Sequence, residues 1–180
     1  MSPSSPPTIV VWVPPPCDHV KVNVNASWSN EKVGLGFLIK DYIGTIVYAE
    51  TIRTLTHSVP EAELMAAWCA LTTTVYHLDF TRVWLEGDSL TVVDWISKHL
   101  WDFEHTDVLS SFHPLLADIN LCATSLDLFQ VSHALREANQ LVDSLAGRPT
   151  DGSFSSPCSL PCTTSLLAMA DLAGVSYFRF

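Results

Sequence analysis

The sequence predicts an α/β domain built on a five-stranded mixed β-sheet, three antiparallel strands and then two parallel ones, with flanking helices. The hydrophobic pattern alternates with a period of two early in the chain and later changes to helical steps of three and four residues. The resulting order, β-β-β-α-β-α-α-β-α, is an antiparallel meander followed by strands joined through helices, which favours a mixed sheet with covered faces. The 180 residues are 48% hydrophobic and 16% charged, so a substantial core can form and wholesale disorder is excluded.

The meander is predicted from three runs. Valine alternates with lysine and asparagine over residues 20–25, which is the pattern of a half-buried strand. Two strand-like runs follow at 33–40 and 45–53, and residues 41–44 between them have the length of a hairpin turn.

Helical spacing begins after the meander. Ser58-Val59-Pro60-Glu61 is a capping box with proline near the first turn, and apolar residues at steps of three or four continue to Leu78. Five further elements complete the order. They are a strand over 82–86, helices over 89–100 and 107–122, a strand around 126–131, and a last helix from Glu137 to Ala146 that ends at Gly147.

These elements divide the chain into three segments. Residues 1–17 are a Pro- and Ser-rich lead-in, 18–147 are the domain, and 148–180 are a linker with an apolar C-terminal tail. The start lacks the basic residues and apolar run of a signal peptide, and the five cysteines are scattered and odd in number. No run approaches the length of a membrane helix. We therefore expect an intracellular protein of the cytoplasm or nucleus, with reduced cysteines and no membrane partner.

The chain is strongly acidic, with 9 Lys and Arg residues against 19 Asp and Glu residues and a formal net charge of −10. This argues against a protein that coats nucleic acid through bulk positive charge. Some polar residues have informative positions: Asn25 ends the first strand, Glu63 lies in the first turn of the long helix, Asp88 ends the fourth strand, and Asp143 lies in the last helix. If the first and fourth strands are parallel neighbours, their ends meet where α/β sheets place their sites. Each acid alone is better explained as a surface charge or a helix-start residue.

The combination of motifs is more specific than any one of them. It resembles the ribonuclease H-like domain of plant non-LTR retroelements and their domesticated relatives, over roughly residues 12–147. The matching segments, in order, are Trp12-Val13-Pro14-Pro15-Pro16, Val20-Lys21-Val22-Asn23-Val24, Gly34-Leu35-Gly36-Phe37, Glu61-Ala62-Glu63-Leu64, Glu86-Gly87-Asp88-Ser89, His133-Ala134-Leu135-Arg136-Glu137-Ala138-Asn139 and Val142-Asp143-Ser144-Leu145-Ala146.

The resemblance implies an enzyme that cuts the RNA strand of an RNA–DNA hybrid with two magnesium ions, or manganese, held by four acids. Glu63, Asp88 and Asp143 match three of those acids, as catalytic and metal-binding residues. His133 matches a histidine that assists water activation or product departure. Two metal ions suit phosphodiester hydrolysis because they stabilise charge on both the attacking and the leaving oxygen.

The nucleic-acid contacts suggested at the same stage are fewer. Ser89 follows Asp88 at a helix start, and Asn139 matches an asparagine that often precedes the last acid. Lys21, and with it Lys40 and Lys98, are candidate phosphate contacts. With so few bases, we expect weak binding of an RNA–DNA hybrid or duplex RNA through shape, with a shallow salt dependence.

One position departs from the pattern. Asn25 stands where the family has its first Asp, which bridges both metals, so the site loses one negative charge and one bridging ligand. The sequence therefore predicts hydrolysis that is severely weakened or absent, with Asn25 as a degenerate catalytic position. Three functions stay open: an active or residually active hybrid nuclease, a non-catalytic nucleic-acid-binding descendant, and a protein-interaction or decaying retroelement-derived domain with a protein partner bound through the tails.

Overall fold

The computed structural model describes residues 8–29, 32–101, 110–148, 150–156, 159–174 and 177–179. Its strands are β1 Thr8–Val10, β2 Val20–Ser29, β3 Lys32–Lys40, β4 Ile46–Thr54, β5 Arg82–Gly87, β6 Leu128–His133, β7 Gly152–Phe154 and β8 Tyr177–Arg179. Its α-helices are α1 Val59–Thr72, α2 Leu90–Trp101, α3 His113–Thr124, α4 Gln140–Ala146 and α5 Cys162–Leu172. A π-helical turn, Thr73–His77, extends α1, and 3₁₀ turns precede α3 at Ser110–Phe112 and α4 at Arg136–Asn139.

The main sheet has the strand order β6-β5-β2-β3-β4-β7. Strands β2, β3 and β4 form the antiparallel meander, while β5 pairs with β2 and β6 pairs with β5 in parallel. The predicted mixed α/β architecture is confirmed. The sheet has six strands instead of five, because β7 pairs antiparallel with β4. This added strand lies in the segment interpreted as a linker, and its three residues are too short to show an alternating pattern.

Helix starts largely follow local sequence. At α1 the Ser58 hydroxyl accepts a hydrogen bond from the Glu61 backbone N–H, as the capping box predicts. The Glu61 carboxylate accepts from the His57 N–H, one residue before the expected donor. The predicted helix over 107–122 is α3, which begins at His113; residues 107–109 lie outside the described residues.

Hydrophobic clusters cover both faces of the sheet. Alternate residues of β2 and β3, among them Val22 and Phe37, pack with α1 in the larger cluster. On the opposite face Leu38 packs with Val142 and Leu145 of α4. Gly36 allows this helix to approach closely, because a Cβ atom there would lie 2.6 Å from the Ala146 backbone nitrogen. The two helices therefore hold their polar residues at fixed positions relative to β2.

Both ends of the described chain contact the main body. Strands β1 and β8 form a separate antiparallel pair, and α5 packs against α4. Within the described residues, no helix is long and apolar enough to cross a membrane.

Candidate functional site

The site is built where β5 ends beside the parallel strand β2. Val24 of β2 is in register with Gly87, the last residue of β5, so the next residues, Asn25 and Asp88, are neighbours. The prediction that Asn25 ends its strand is wrong, because β2 continues to Ser29 in its pairing with β3. Helix α1 packs against β2 and carries Glu63, while α4 packs against β3 from the other face and carries Asp143. The Asn25 side-chain nitrogen donates a hydrogen bond of 2.9 Å to Asp143 Oδ1. The structure thus brings together the positions that the strand-end rule predicts should meet.

Glu63 is the most deeply buried acid of the site, with 6% of its surface exposed. Burial raises the pKa of its carboxyl from 4.5 to about 8, and the negative charges of Asp88 and Asp143 add to this rise. A hydrogen bond with the Ala26 backbone partly opposes it. Glu63 is therefore largely protonated at neutral pH in the metal-free chain.

The Asp88 carboxyl interacts with charges of both signs. Burial raises its carboxyl pKa and Asp143 raises it further, whereas the Arg136 guanidinium lowers it and His133 lowers it to a smaller extent. The Nε2 atom of His133 lies 3.1 Å from the Asp88 backbone oxygen, which places the imidazole beside this acid. Arg136 was not singled out from the sequence, although it lies within the segment from His133 to Asn139 that carries the family resemblance.

The Asn25 amide uses both of its polar atoms within the protein. Its nitrogen donates to Asp143, and its oxygen accepts a 2.9 Å hydrogen bond from the Ala26 backbone N–H. Magnesium requires oxygen ligands in a tight octahedron, and an amide nitrogen does not supply one. Among the residues described, no group of three or more His, Cys, Asp and Glu side chains is arranged to hold a metal ion. The donor set in this structure does not fit a two-metal centre.

Two of the predicted phosphate contacts are wrong, because the structure buries them. Lys21 is 1% exposed; its ammonium donates to the Val13 carbonyl and forms a 3.0 Å ion pair with Glu86. Lys40, also 1% exposed, pairs with Asp171 of α5 at 2.6 Å. The alternating pattern places both lysines on the polar face of a strand, but segments distant in sequence cover that face.

The remaining suggested contacts have mixed surroundings. Asn139 is 1% exposed, and its amide nitrogen donates to the Val24 carbonyl, so the described conformation gives it a structural role beside the site. Ser89 is half-buried, and its carbonyl accepts the first hydrogen bond of α2 from Val93. Lys98 is exposed and pairs with Asp94 one helical turn away. The roles of Ser89 and Asn139 in nucleic-acid binding stay predictions.

A buried polar network lies behind the site and was not predicted. Trp12 donates to Asn23, and Asn23 donates to Glu86 and to Asn139. The Trp12 ring also faces both buried lysines, with centroid distances of 5.4 Å to the Lys21 nitrogen and 4.3 Å to that of Lys40. Because Asn139 in turn donates to the Val24 carbonyl just before Asn25, this network supports the part of β2 that forms the site.

The fold matches solved ribonucleases H. RNase H1 from the halophilic archaeon Halobacterium salinarum matches with a TM-score of 0.61 and 20% identity, over 71% of this chain and 94% of that chain. The N-terminal RNase H domain of a Mycobacterium tuberculosis protein matches with a TM-score of 0.62 and 16% identity, over 71% and 90%. LC11-RNase H1, solved in complex with an RNA/DNA hybrid, matches with a TM-score of 0.60 and 17% identity, over 70% and 92%. At these identities the matches establish the fold.

Sequence comparisons establish the family. No curated protein sequence matches the chain. The family model described as reverse transcriptase-like matches residues 23–148, a range that contains all four positions of the site. With this match over more than half of its length and a ribonuclease H-like fold, the chain belongs to the reverse transcriptase-like family.

Proposed function

We propose that this chain is a nucleic-acid-binding domain of the ribonuclease H type in which Asn25 impairs metal-dependent hydrolysis. The observation that carries the proposal is the 2.9 Å hydrogen bond from the Asn25 amide nitrogen to Asp143 Oδ1. In the family pattern a carboxylate at this position and Asp143 would both face a divalent cation. Here an N–H group lies against Asp143 instead, and it satisfies the carboxylate without an ion.

The chemical consequence follows from charge. Phosphodiester displacement places negative charge on the attacking and leaving oxygens, and pre-positioned positive charge stabilises it. The site retains three acids, Glu63, Asp88 and Asp143, but their attraction for divalent cations is reduced by the missing carboxylate at position 25. What this chain's own residues supply is His133, whose Nε2 atom lies 3.1 Å from the Asp88 backbone oxygen.

Substitution of Asn25 tests the proposal directly. We expect Asn25→Asp to cleave a labelled RNA–DNA hybrid at least about 100-fold faster than the wild-type chain in magnesium, since a missing electrostatic contact of this kind typically costs that much. Asn25→Ala serves as the matched control, because it removes the amide without supplying a carboxylate, and it should stay as slow as wild type. A double variant, Asn25→Asp with Asp88→Asn, should lose the recovered activity and thereby exclude a contaminating nuclease.

Two results would overturn the impairment. Wild-type cleavage at the rate of Asn25→Asp, in magnesium or in manganese, would show that the asparagine is harmless. A slow Asn25→Asp variant that remains folded and binds hybrid would show that another feature limits hydrolysis.

Binding is tested separately from cleavage. In EDTA at low salt, we expect the wild-type chain to bind RNA–DNA hybrid and duplex RNA more tightly than duplex DNA. The first two duplexes carry 2′-hydroxyl groups and have an A-like shape, and duplex DNA does not. Burial of Lys21 and Lys40 removes two cations from the surface and favours the alternative, a protein-interaction domain. Absence of binding to all three duplexes would support that alternative.

A further inference from the structure

We infer that Arg136, together with the groove it shares with Gln140 and Asp143, binds one backbone phosphate of the nucleic-acid strand that lies across the site. This inference rests on the proposed nucleic-acid-binding function and assigns the residue on which that binding depends.

The first argument is position. Arg136 opens the 3₁₀ turn that leads into α4, and its side chain is exposed. It lines a groove of about 460 Å³ with Gln140, Asp143 and Ser144, and Leu167 of α5 forms part of the wall. This volume lies within the range of ligand-binding sites. The groove is continuous with the candidate site because Asp143 belongs to both.

The second argument is the supply of positive charge. Among the described residues, four lysine and arginine side chains form ion pairs with acids: Lys21, Lys40, Arg82 and Lys98. Arg53 donates to the Arg148 carbonyl, and the Arg148 guanidinium lies over the Phe154 ring. No such contact holds the Arg136 guanidinium within the described part of the chain, and its charge acts on Asp88. Within the described residues, Arg136 is thus a cation near Asp88 whose guanidinium forms no ion pair or hydrogen bond with a protein group.

The third argument is that a phosphate at this acidic site requires a positive partner. A phosphate that approaches Asp88 and Asp143 meets like charge, and Asn25 makes a metal ion a poor intermediary. A guanidinium presents planar donors that match phosphate oxygens, and it keeps its charge at every physiological pH. Gln140 adds amide donors in the same groove. Because Glu137 and Asp143 oppose an anion there, affinity depends on Arg136 more than it would in a groove with several basic residues.

The test compares two arginines. Arg136→Ala and Arg82→Ala remove the same charge from exposed side chains, but Arg82 begins β5 whereas the site lies beyond the other end of that strand. Hybrid binding is measured in EDTA by fluorescence anisotropy from 50 to 200 mM salt, and thermal melts check that both variants fold. We expect Arg136→Ala to weaken binding about tenfold at low salt, as for the loss of a charge-assisted hydrogen bond. The slope of log K against log salt should fall by about 0.9, the value for one phosphate contact.

A conservative variant separates charge from shape. Arg136→Lys should keep the wild-type salt slope, while its affinity falls between those of wild type and Arg136→Ala. Equal affinities and slopes for Arg136→Ala, Arg82→Ala and wild type would overturn the assignment while leaving the proposed function intact. Failure of the wild-type chain itself to bind any duplex would overturn the proposed function, and this inference with it.

Discussion

Replacing Asp171 by asparagine should leave the buried ammonium of Lys40 without its negative partner. Lys40 ends β3 with 1% of its surface exposed, and its ammonium lies 2.6 Å from the Asp171 carboxylate on α5. Asparagine has nearly the same shape but no negative charge, so the substitution removes the charge that pairs with Lys40 and that also acts on Lys21. The Trp12 ring, 4.3 Å from the ammonium, remains in place.

The expected loss of stability is large for one substitution. Removing one partner of a buried ion pair typically costs about 3 to 5 kcal/mol. The cation–π contact with Trp12 is present before and after the substitution, so it does not change this difference. Because the asparagine oxygen can still accept a hydrogen bond from the ammonium, we expect a loss at the lower end of that range, roughly 3 kcal/mol in the free energy of unfolding at pH 7. For a chain of this size that corresponds to a decrease of about 6 to 12 °C in Tm.

The loss should depend on pH in a defined direction. Burial lowers the pKa of Lys40 below 10.5, and the Asp171 carboxylate acts against this decrease. Without the carboxylate the folded-state pKa falls further, while the unfolded-state pKa stays near 10.5. The penalty is then fully present below the folded-state pKa and shrinks as pH rises towards 10.5, because the unfolded chain also loses its proton.

Urea unfolding followed by tryptophan fluorescence at pH 7 and at pH 9.5 measures both effects. Lys40→Met and the double variant Lys40→Met with Asp171→Asn complete a thermodynamic cycle, and the double variant should be closer to wild type than Asp171→Asn is, because no buried charge is then left without a partner. A loss below 1 kcal/mol at pH 7, or a loss that grows with pH, would refute a buried and charged Lys40.

Three further outcomes are expected from the fold and the site. Glu63→Gln should be more stable than wild type at pH 8 in EDTA, by up to about 4 kcal/mol, and equally stable near pH 4. The reason is that between pH 4.5 and about 8 the Glu63 carboxyl holds a proton in the folded chain but has lost it in the unfolded chain. Urea titrations that show the same difference in stability at both pH values would contradict this. Gly36→Ala should lose about 1 to 3 kcal/mol by pushing α4 from the sheet, whereas Gly147→Ala, whose nearest contact is 3.5 Å away, should be nearly neutral in the same titrations. Asn25→Asp should lose about 2 kcal/mol in EDTA because it faces Asp143, and thermal melts should show that magnesium stabilises this variant but not wild type; equal stabilisation of both would count against the proposed loss of metal affinity.

The period of the hydrophobic pattern and the order of the predicted elements indicated both the sheet and the meeting of the site residues. Asn25 lies within β2 and Asp88 directly follows β5, and the element order makes these strands parallel neighbours, so their meeting follows from topology. Lys21 was misplaced because alternation identifies the polar face of a strand but not what covers that face. Here the cover comes from Trp12 and α5, segments far away in sequence whose docking leaves no periodic signal.

The antiparallel pairing of β1 with β8 joins the two ends of the described chain. A fragment trimmed to residues 18–147 would keep every acid of the site, yet Lys40 would face a newly opened interior without Asp171 or the Trp12 ring. The stretch that carries the recognisable motifs is therefore smaller than the unit that we expect to fold cooperatively. Proteolytic removal of either end should loosen both, since each is held partly by the other.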